Sequence, residues 1–190
     1  MPKTLYIISG CNGAGKTTAS LTMLPEIWKC REFVNADEIA HGLSPFNPGS
    51  MAIEAGRIMV QRISQLVEGD ESFAIETTLS TRSYVNTIRT AHANGFRVQL
   101  LFFWLPTPEA AIERVRQRVL EGGHSIPTAT IIRRYRAGIS NLFRLYMPIV
   151  DAWMLVDNQS SPRLLIADGA LGSDTVIHNT DLYKKVKAYV

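Results

Sequence analysis

Gly10-Cys11-Asn12-Gly13-Ala14-Gly15-Lys16-Thr17-Thr18 decides how this chain is read. It satisfies G-x-x-x-x-G-K-[ST] at every fixed position, with Gly10, Gly15, Lys16 and Thr17 in register. Upstream, residues 4–9 form an apolar run rich in β-branched and aromatic side chains, which predicts a buried strand. Downstream, residues 16–24 predict a helix limited by Pro25. Strand, glycine loop and helix are the setting in which this pattern cradles phosphate. Gly10, Gly13 and Gly15 permit close backbone approach, and the loop N–H groups and helix N-terminus surround an anion with partial positive charge. The expected nucleotide contacts are Asn12, Gly13, Ala14, Gly15, Lys16, Thr17 and Thr18. Lys16 is placed to reach the β- and γ-phosphates and Thr17 to ligate Mg²⁺. A nucleoside triphosphate, ATP or GTP, is the implied ligand.

The rest of the chain predicts four further strands, at residues 33–37, 72–78, 97–105 and 152–156, alternating with helices at 50–68, 80–94, 107–120 and 128–146. Residues 97–105 are the most hydrophobic and read as the central strand, buried on both faces. Residues 42–49, with Pro45 and Pro48, read as a loop. The double glycine at 122–123 reads as a flexible break between two arginine-bearing helices. Beyond residue 159, a hairpin turning at Asp168-Gly169 and a last helix at 180–189 form a small C-terminal extension. The pattern predicts one three-layer α/β domain over residues 1–190: a mostly parallel five-stranded sheet with helices on both faces.

Composition bounds the function. At 190 residues, with 46% hydrophobic and 19% charged residues, the chain has the makeup of a globular domain with a full core. No apolar run has the length of a membrane span, and the first strand begins at once, leaving no room for a signal peptide. Cys11 and Cys30 have neither metal-site spacing nor the number for a disulfide framework. A cytoplasmic protein without a membrane partner is expected. The net charge of +3 is mild, and no aromatic–basic platform for bases stands out, which argues against a nucleic-acid partner.

Strand ends carry the candidate chemistry, since ligands of open α/β sheets bind beyond the carboxyl ends of the strands. Asp37 is a candidate general base for a hydroxyl nucleophile; a helix cap or a Mg²⁺ partner is the alternative. Glu76 follows an apolar run, where a carboxylate is costly unless paired or metal-linked. It is a candidate for Mg²⁺ or a substrate hydroxyl, with Thr78 beside it as a substrate contact. Arg118 and Arg134, one just before and one just after the double-glycine loop of a lid at about 114–136, are candidates for stabilising transferred charge, with Arg114 and Arg133 as seconds. The alternative for this group is a solvated helix face paired to Glu109 or Glu113. His124, next to the double glycine, is a candidate substrate contact.

Together these segments resemble the zeta-toxin family of P-loop kinases. The matching stretches are the 10–18 loop, residues 34–38 and 73–80, residues 122–127, Arg133-Arg134-Tyr135 and Asp157-Asn158. The resemblance implies ATP- or GTP-dependent, Mg²⁺-assisted transfer to a hydroxyl of a sugar nucleotide, UDP-N-acetylglucosamine in the toxins. It implies Lys16 on phosphates, Asp37 as base, Glu76 and Thr78 on substrate, and Arg118 and Arg134 on transferred charge. It also raises an antitoxin-like protein partner. Two positions depart from the pattern. Cys11 replaces a frequent proline, and Ser80 stands where the toxins carry a substrate-binding arginine, the next one here being Arg82. Two other readings stay open: a nucleotide-dependent switch, and a kinase of another metabolite or of nucleic-acid ends.

Overall fold

The computed structural model describes residues 2–160 and 162–190. β1 (Thr4–Gly10) lies mid-sheet because its residues face packed neighbours on both sides: Leu5, Ile7 and Ile8 are all buried. It pairs in parallel with β3 (Phe73–Thr77) and β4 (Arg97–Trp104), so Ile8 sits opposite Glu76 on one side and Leu101 on the other. β2 (Glu32–Val34) joins β3, and β5 (Ala152–Asp157) joins β4, both in parallel. The continuous apolar run of β4 is buried from Leu100 onward, as a strand covered on both faces requires.

The order is β2-β3-β1-β4-β5-β6-β7, seven strands rather than the five expected. The two extra strands are β6 (Leu164–Ala170) and β7 (Val176–Ile177), which extend the sheet antiparallel from β5. Asp168-Gly169 is not the turn but lies within β6. Gly169 pairs with Trp153, and a Cβ there would stand 2.8 Å from the indole. This glycine makes room for a tryptophan across the strand pair, and the chain reverses only after Ala170.

The helices are α1 (Lys16–Thr22), α2 (Ala36–Leu43), α3 (Ala52–Glu68), α4 (Tyr84–Ala93), α5 (Pro108–Leu120), α6 (Thr128–Asn141) and α7 (Thr180–Lys187). α1 is followed by a wider turn, Met23–Ile27, that absorbs Pro25, and α6 by a similar turn, Leu142–Tyr146. α2 occupies residues that read from sequence as strand end and loop. Asn35 caps it, its Oδ1 accepting the Asp37 N–H at 2.9 Å, and Glu38 follows three residues on, with Ile39, Ala40 and Leu43 spaced along the helix. Asp37 therefore stands in the first turn of a helix, not at a strand terminus. Among the described residues no helix is long and apolar enough to cross a membrane.

At the far end of the sheet from the glycine loop, Asp151 ties α4 to the start of β5. Its Oδ2 accepts the Val98 N–H at 2.7 Å and lies 2.9 Å from His92 Nε2. Burial works to raise its pKa, but the Val98 N–H and His92 outweigh it, and the carboxyl is held below its ordinary value. A depressed carboxylate contributes stability above its unfolded pKa and loses it as pH falls through the folded one. Asp151→Ala is expected to cost about 1–2 kcal/mol at pH 7. Urea unfolding should show that deficit shrinking as pH falls below about 4, the ordinary carboxyl pKa of the unfolded chain, toward the lower folded value.

Candidate active site

The carboxyl ends of β1 and β3 meet under the glycine loop, and a buried polar junction forms there. Gly15, at φ +76°, caps α1 and turns the chain so that Lys16 and Thr17 open the helix. Lys16 Nζ donates to the Cys11 carbonyl at 3.1 Å and lies 3.6 Å from Glu76 Oε1, with both side chains less than a tenth exposed. Thr17 Oγ1 donates to Glu76 Oε2 at 2.8 Å. Asn35 Nδ2 donates to the same oxygen at 3.1 Å, while its Oδ1 holds the first turn of α2. One amide therefore fixes Glu76 and the backbone of Asp37 relative to each other. Asn35 has no obvious standing in the sequence; the capping pattern with Glu38 was the one available signal.

Burial pushes the Glu76 carboxyl above its ordinary pKa; Lys16 and Thr17 oppose the shift, and Asp37 adds to it. A buried carboxylate held beside the loop threonine is the donor set a hard cation uses together with nucleotide phosphates. No cluster of three or more His, Cys, Asp or Glu side chains forms a protein-only metal cage among the described residues. Thr17 and Glu76 thus fit Mg²⁺ arriving with a nucleotide.

Two cavities open on this junction, and Asp37 lines both. The smaller, about 190 Å³, is bounded by Asn12, Lys16, Glu76, Thr78, Tyr84 and Arg134. The larger, about 610 Å³, lies between residues 45–49 and the 122–125 loop, with Thr17, His41 and Arg118 in its lining. Thr78 enters the smaller cavity from a tightly held turn: the next residue, Leu79, is buried at φ +54°, its carbonyl accepting Asn141 Nδ2 at 2.8 Å. A bulky residue in that region stores strain that surrounding contacts must hold.

The arginines divide into two groups. Arg134 reaches in from α6 and donates to Asn12 Oδ1 at 3.2 Å; burial pulls its pKa below the usual arginine value, against the pull of Asp37. Arg118 is held only by the His124 carbonyl, at 3.4 Å, and its buried Nε has no partner among the described residues. Neither pairs with a carboxylate among the described residues, nor do Glu109 and Glu113 pair with Arg114. Arg114 instead donates to the Asn158 carbonyl at 2.8 Å. Asn158 Nδ2 donates to the Ala14 carbonyl at 2.6 Å, and its Oδ1 accepts Arg163 Nε at 2.7 Å. Arg114, Asn158 and Arg163 line a separate groove of about 530 Å³ with Gly15 and Thr18, and Asp37 is not in its lining. Arg133 and Arg82 are exposed, and Arg82 lies outside all three cavities. His124 lines the larger cavity. Burial pushes the Cys11 thiol up to about 11, which leaves it protonated and unreactive at neutral pH.

The chain is similar to several known proteins. The family model described as Zeta toxin matches residues 2–163. A Haemophilus influenzae protein described as uncharacterized is 31% identical over 126 residues, 66% of this chain and 88% of that protein. A chain of the crystal structure of AvrRxo1-ORF1:AvrRxo1-ORF2 with sulphate ions superposes with a TM-score of 0.78 at 19% identity, over 97% of this chain. The match spans 63% of that longer chain, and the same pair has been crystallised with ATP. A chain from the PezAT chromosomal toxin–antitoxin system of Streptococcus pneumoniae superposes with a TM-score of 0.63 at 18% identity, covering 99% of this chain and 85% of that one.

Proposed function

This chain belongs to the zeta-toxin family, and from that premise we propose that it is a P-loop kinase. It transfers the γ-phosphoryl group of ATP or GTP to a hydroxyl of a small molecule, a sugar nucleotide such as UDP-N-acetylglucosamine. The observation that carries this reading is the position of Asp37: a carboxylate shared by two cavities, in a lining with Lys16 and Arg134 on one side and Arg118 on the other.

The loop N–H groups and Lys16 hold the triphosphate, and Arg114, Asn158 and Arg163 offer a groove for its base. Thr17 and Glu76 would hold Mg²⁺, which would neutralise phosphate charge. The acceptor hydroxyl enters between Asp37, Glu76 and Thr78. Asp37 accepts its proton as the oxygen attacks the γ-phosphorus and the bond to the bridging oxygen of the leaving diphosphate breaks. Lys16, Arg134 and Arg118 stabilise charge on the equatorial oxygens, and closure of the 122–125 loop excludes water. A reaction that consumes ATP and sugar nucleotides fits the cytoplasm. An antitoxin-like partner belongs to the same proposal, since the Streptococcus pneumoniae relative comes from a toxin–antitoxin system.

The test is phosphotransfer read by mass spectrometry, with Mg²⁺ and ATP or GTP against a panel of sugar nucleotides. A product heavier by one phosphate, absent with Lys16→Ala, is expected. Nucleotide binding without any phosphorylated panel member would overturn the sugar-nucleotide assignment.

A further inference from the structure

Phe46 has an unusual position for a large apolar residue. It is fully exposed, at 102%. Isolated exposed hydrophobics are common and need no explanation, but this one stands at the rim of the larger cavity, about 610 Å³ in volume. The segment bearing it is held in shape. The Ser44 N–H donates to the Ala40 carbonyl at 3.0 Å, the Asn47 N–H to the Ser44 carbonyl at 3.2 Å, and Ser50 Oγ to the Asn47 carbonyl at 2.8 Å. Pro45 precedes the aromatic residue and Pro48 follows two residues on, fixing φ at both positions. The ring is thus displayed at little entropic cost.

The 122–125 loop with His124 forms another wall, and Arg118 lines the same cavity. The lining between the walls is polar and charged: Thr17, Asp37, Glu38 and His41. An aliphatic occupant would leave those groups unpaired. A flat heteroaromatic ring satisfies both requirements, presenting a π-face to Phe46 and polar edges to the lining. The smaller cavity of about 190 Å³ has room only for the part that carries the hydroxyl, against Glu76, Thr78 and Arg134.

We propose that Phe46 is a specificity-determining residue: it stacks on a planar ring of the phosphoryl acceptor, holding that ring against the 122–125 loop while the hydroxyl end of the same molecule reaches Asp37. The inference rests on the kinase reading above for the identity of the occupant as acceptor, but the ring site can be measured without turnover.

Two measurements test it. In the first, the nucleotide loop is saturated with a non-hydrolysable ATP analogue, and the Phe46→Trp variant is titrated with uridine diphosphate and, separately, with ribose 5-phosphate. Its emission, as a difference from wild type, is expected to be quenched saturably by uridine diphosphate and not by the ring-free phosphate. In the second, Phe46→Ala is expected to raise KM for a sugar-nucleotide acceptor about 10- to 100-fold, the range for losing one base–aromatic stack. Its kcat and its KM for ATP should hold, and Phe46→Tyr should restore the acceptor KM. Full exposure of Phe46 means that none of these variants threatens the fold. Equal response to both titrants, no response to either, or an acceptor KM unchanged in Phe46→Ala would overturn the proposal. Quenching by uridine diphosphate in a protein that phosphorylates no sugar nucleotide would sustain the ring site and sink the sugar-nucleotide assignment instead.

Discussion

Asp37→Asn is expected to lower kcat for phosphoryl transfer by about 10²–10⁴-fold, the range for removing a positioned general base, with the Kd for ATP within a few-fold of wild type. The substitution keeps the shape and a hydrogen-bonding oxygen but cannot take the acceptor's proton. The helix should survive it, because the cap of α2 is Asn35 and not Asp37, and the Asp37 backbone N–H already has its partner in Asn35 Oδ1. Unchanged urea unfolding would therefore accompany the loss of rate. The competing role, a Mg²⁺ partner, has a different signature: a variant impaired in that way recovers at high Mg²⁺, whereas one lacking the base does not. Steady-state kinetics across a Mg²⁺ series separates the two. Retention of more than a tenth of kcat at any Mg²⁺ concentration would remove Asp37 from the base position.

The glycine loop and the central strand were legible in the sequence because each rests on local chemistry. Gly15 marks a backbone conformation, and the unbroken apolar run of β4 marks burial on both faces. What escaped was chemistry made by distance in sequence. Asn35 matters because β2 lies beside β3 and brings its amide to Glu76, 41 positions away. Arg114 reads as a catalytic candidate until the end of β5 places Asn158 beside it. Gly169 reads as a turn because the bulk that requires a glycine there, Trp153, belongs to another strand. α2 is a different case. Its capping pattern was present in Asn35 and Glu38, but eight residues give Ile39, Ala40 and Leu43 room for barely two turns, too short a period to stand out beside the strand before it. The candidate residues Lys16, Thr17, Asp37, Glu76, Thr78 and Arg134 do converge: the first five come from strand ends or the helices that follow them, and Arg134 from α6, the second helix after β4. Arg82, which the family resemblance alone brought forward, does not join them.

Arg134 carries the larger expected effect. Its guanidinium enters the smaller cavity beside Lys16 and Asp37 from a helix that is firmly seated: the next residue, Tyr135, is buried and donates its hydroxyl to the Leu105 carbonyl at 2.8 Å. A charge so placed needs no reorganisation when the equatorial oxygens of the transferred group gain negative charge. Arg134→Ala is expected to lower kcat by about 10³-fold or more, as removal of a transition-state arginine does in phosphoryl transfer. Arg134→Lys should recover only a small part, because an ammonium lacks the planar fork that engages two oxygens at once. The stability readout should move the other way or not at all. Burial disfavours this guanidinium, Asp37 offsets that only in part, and no carboxylate among the described residues forms an ion pair with it, so Arg134→Met relieves a desolvation penalty while keeping much of the side-chain volume. An unchanged or raised Tm together with a collapsed kcat is the pattern of a residue retained for catalysis at the expense of the fold. A falling Tm with kcat reduced less than tenfold would make Arg134 structural. The charge of the transferred group would then rest on Lys16 and on Arg118, whose unpartnered Nε faces the closing loop.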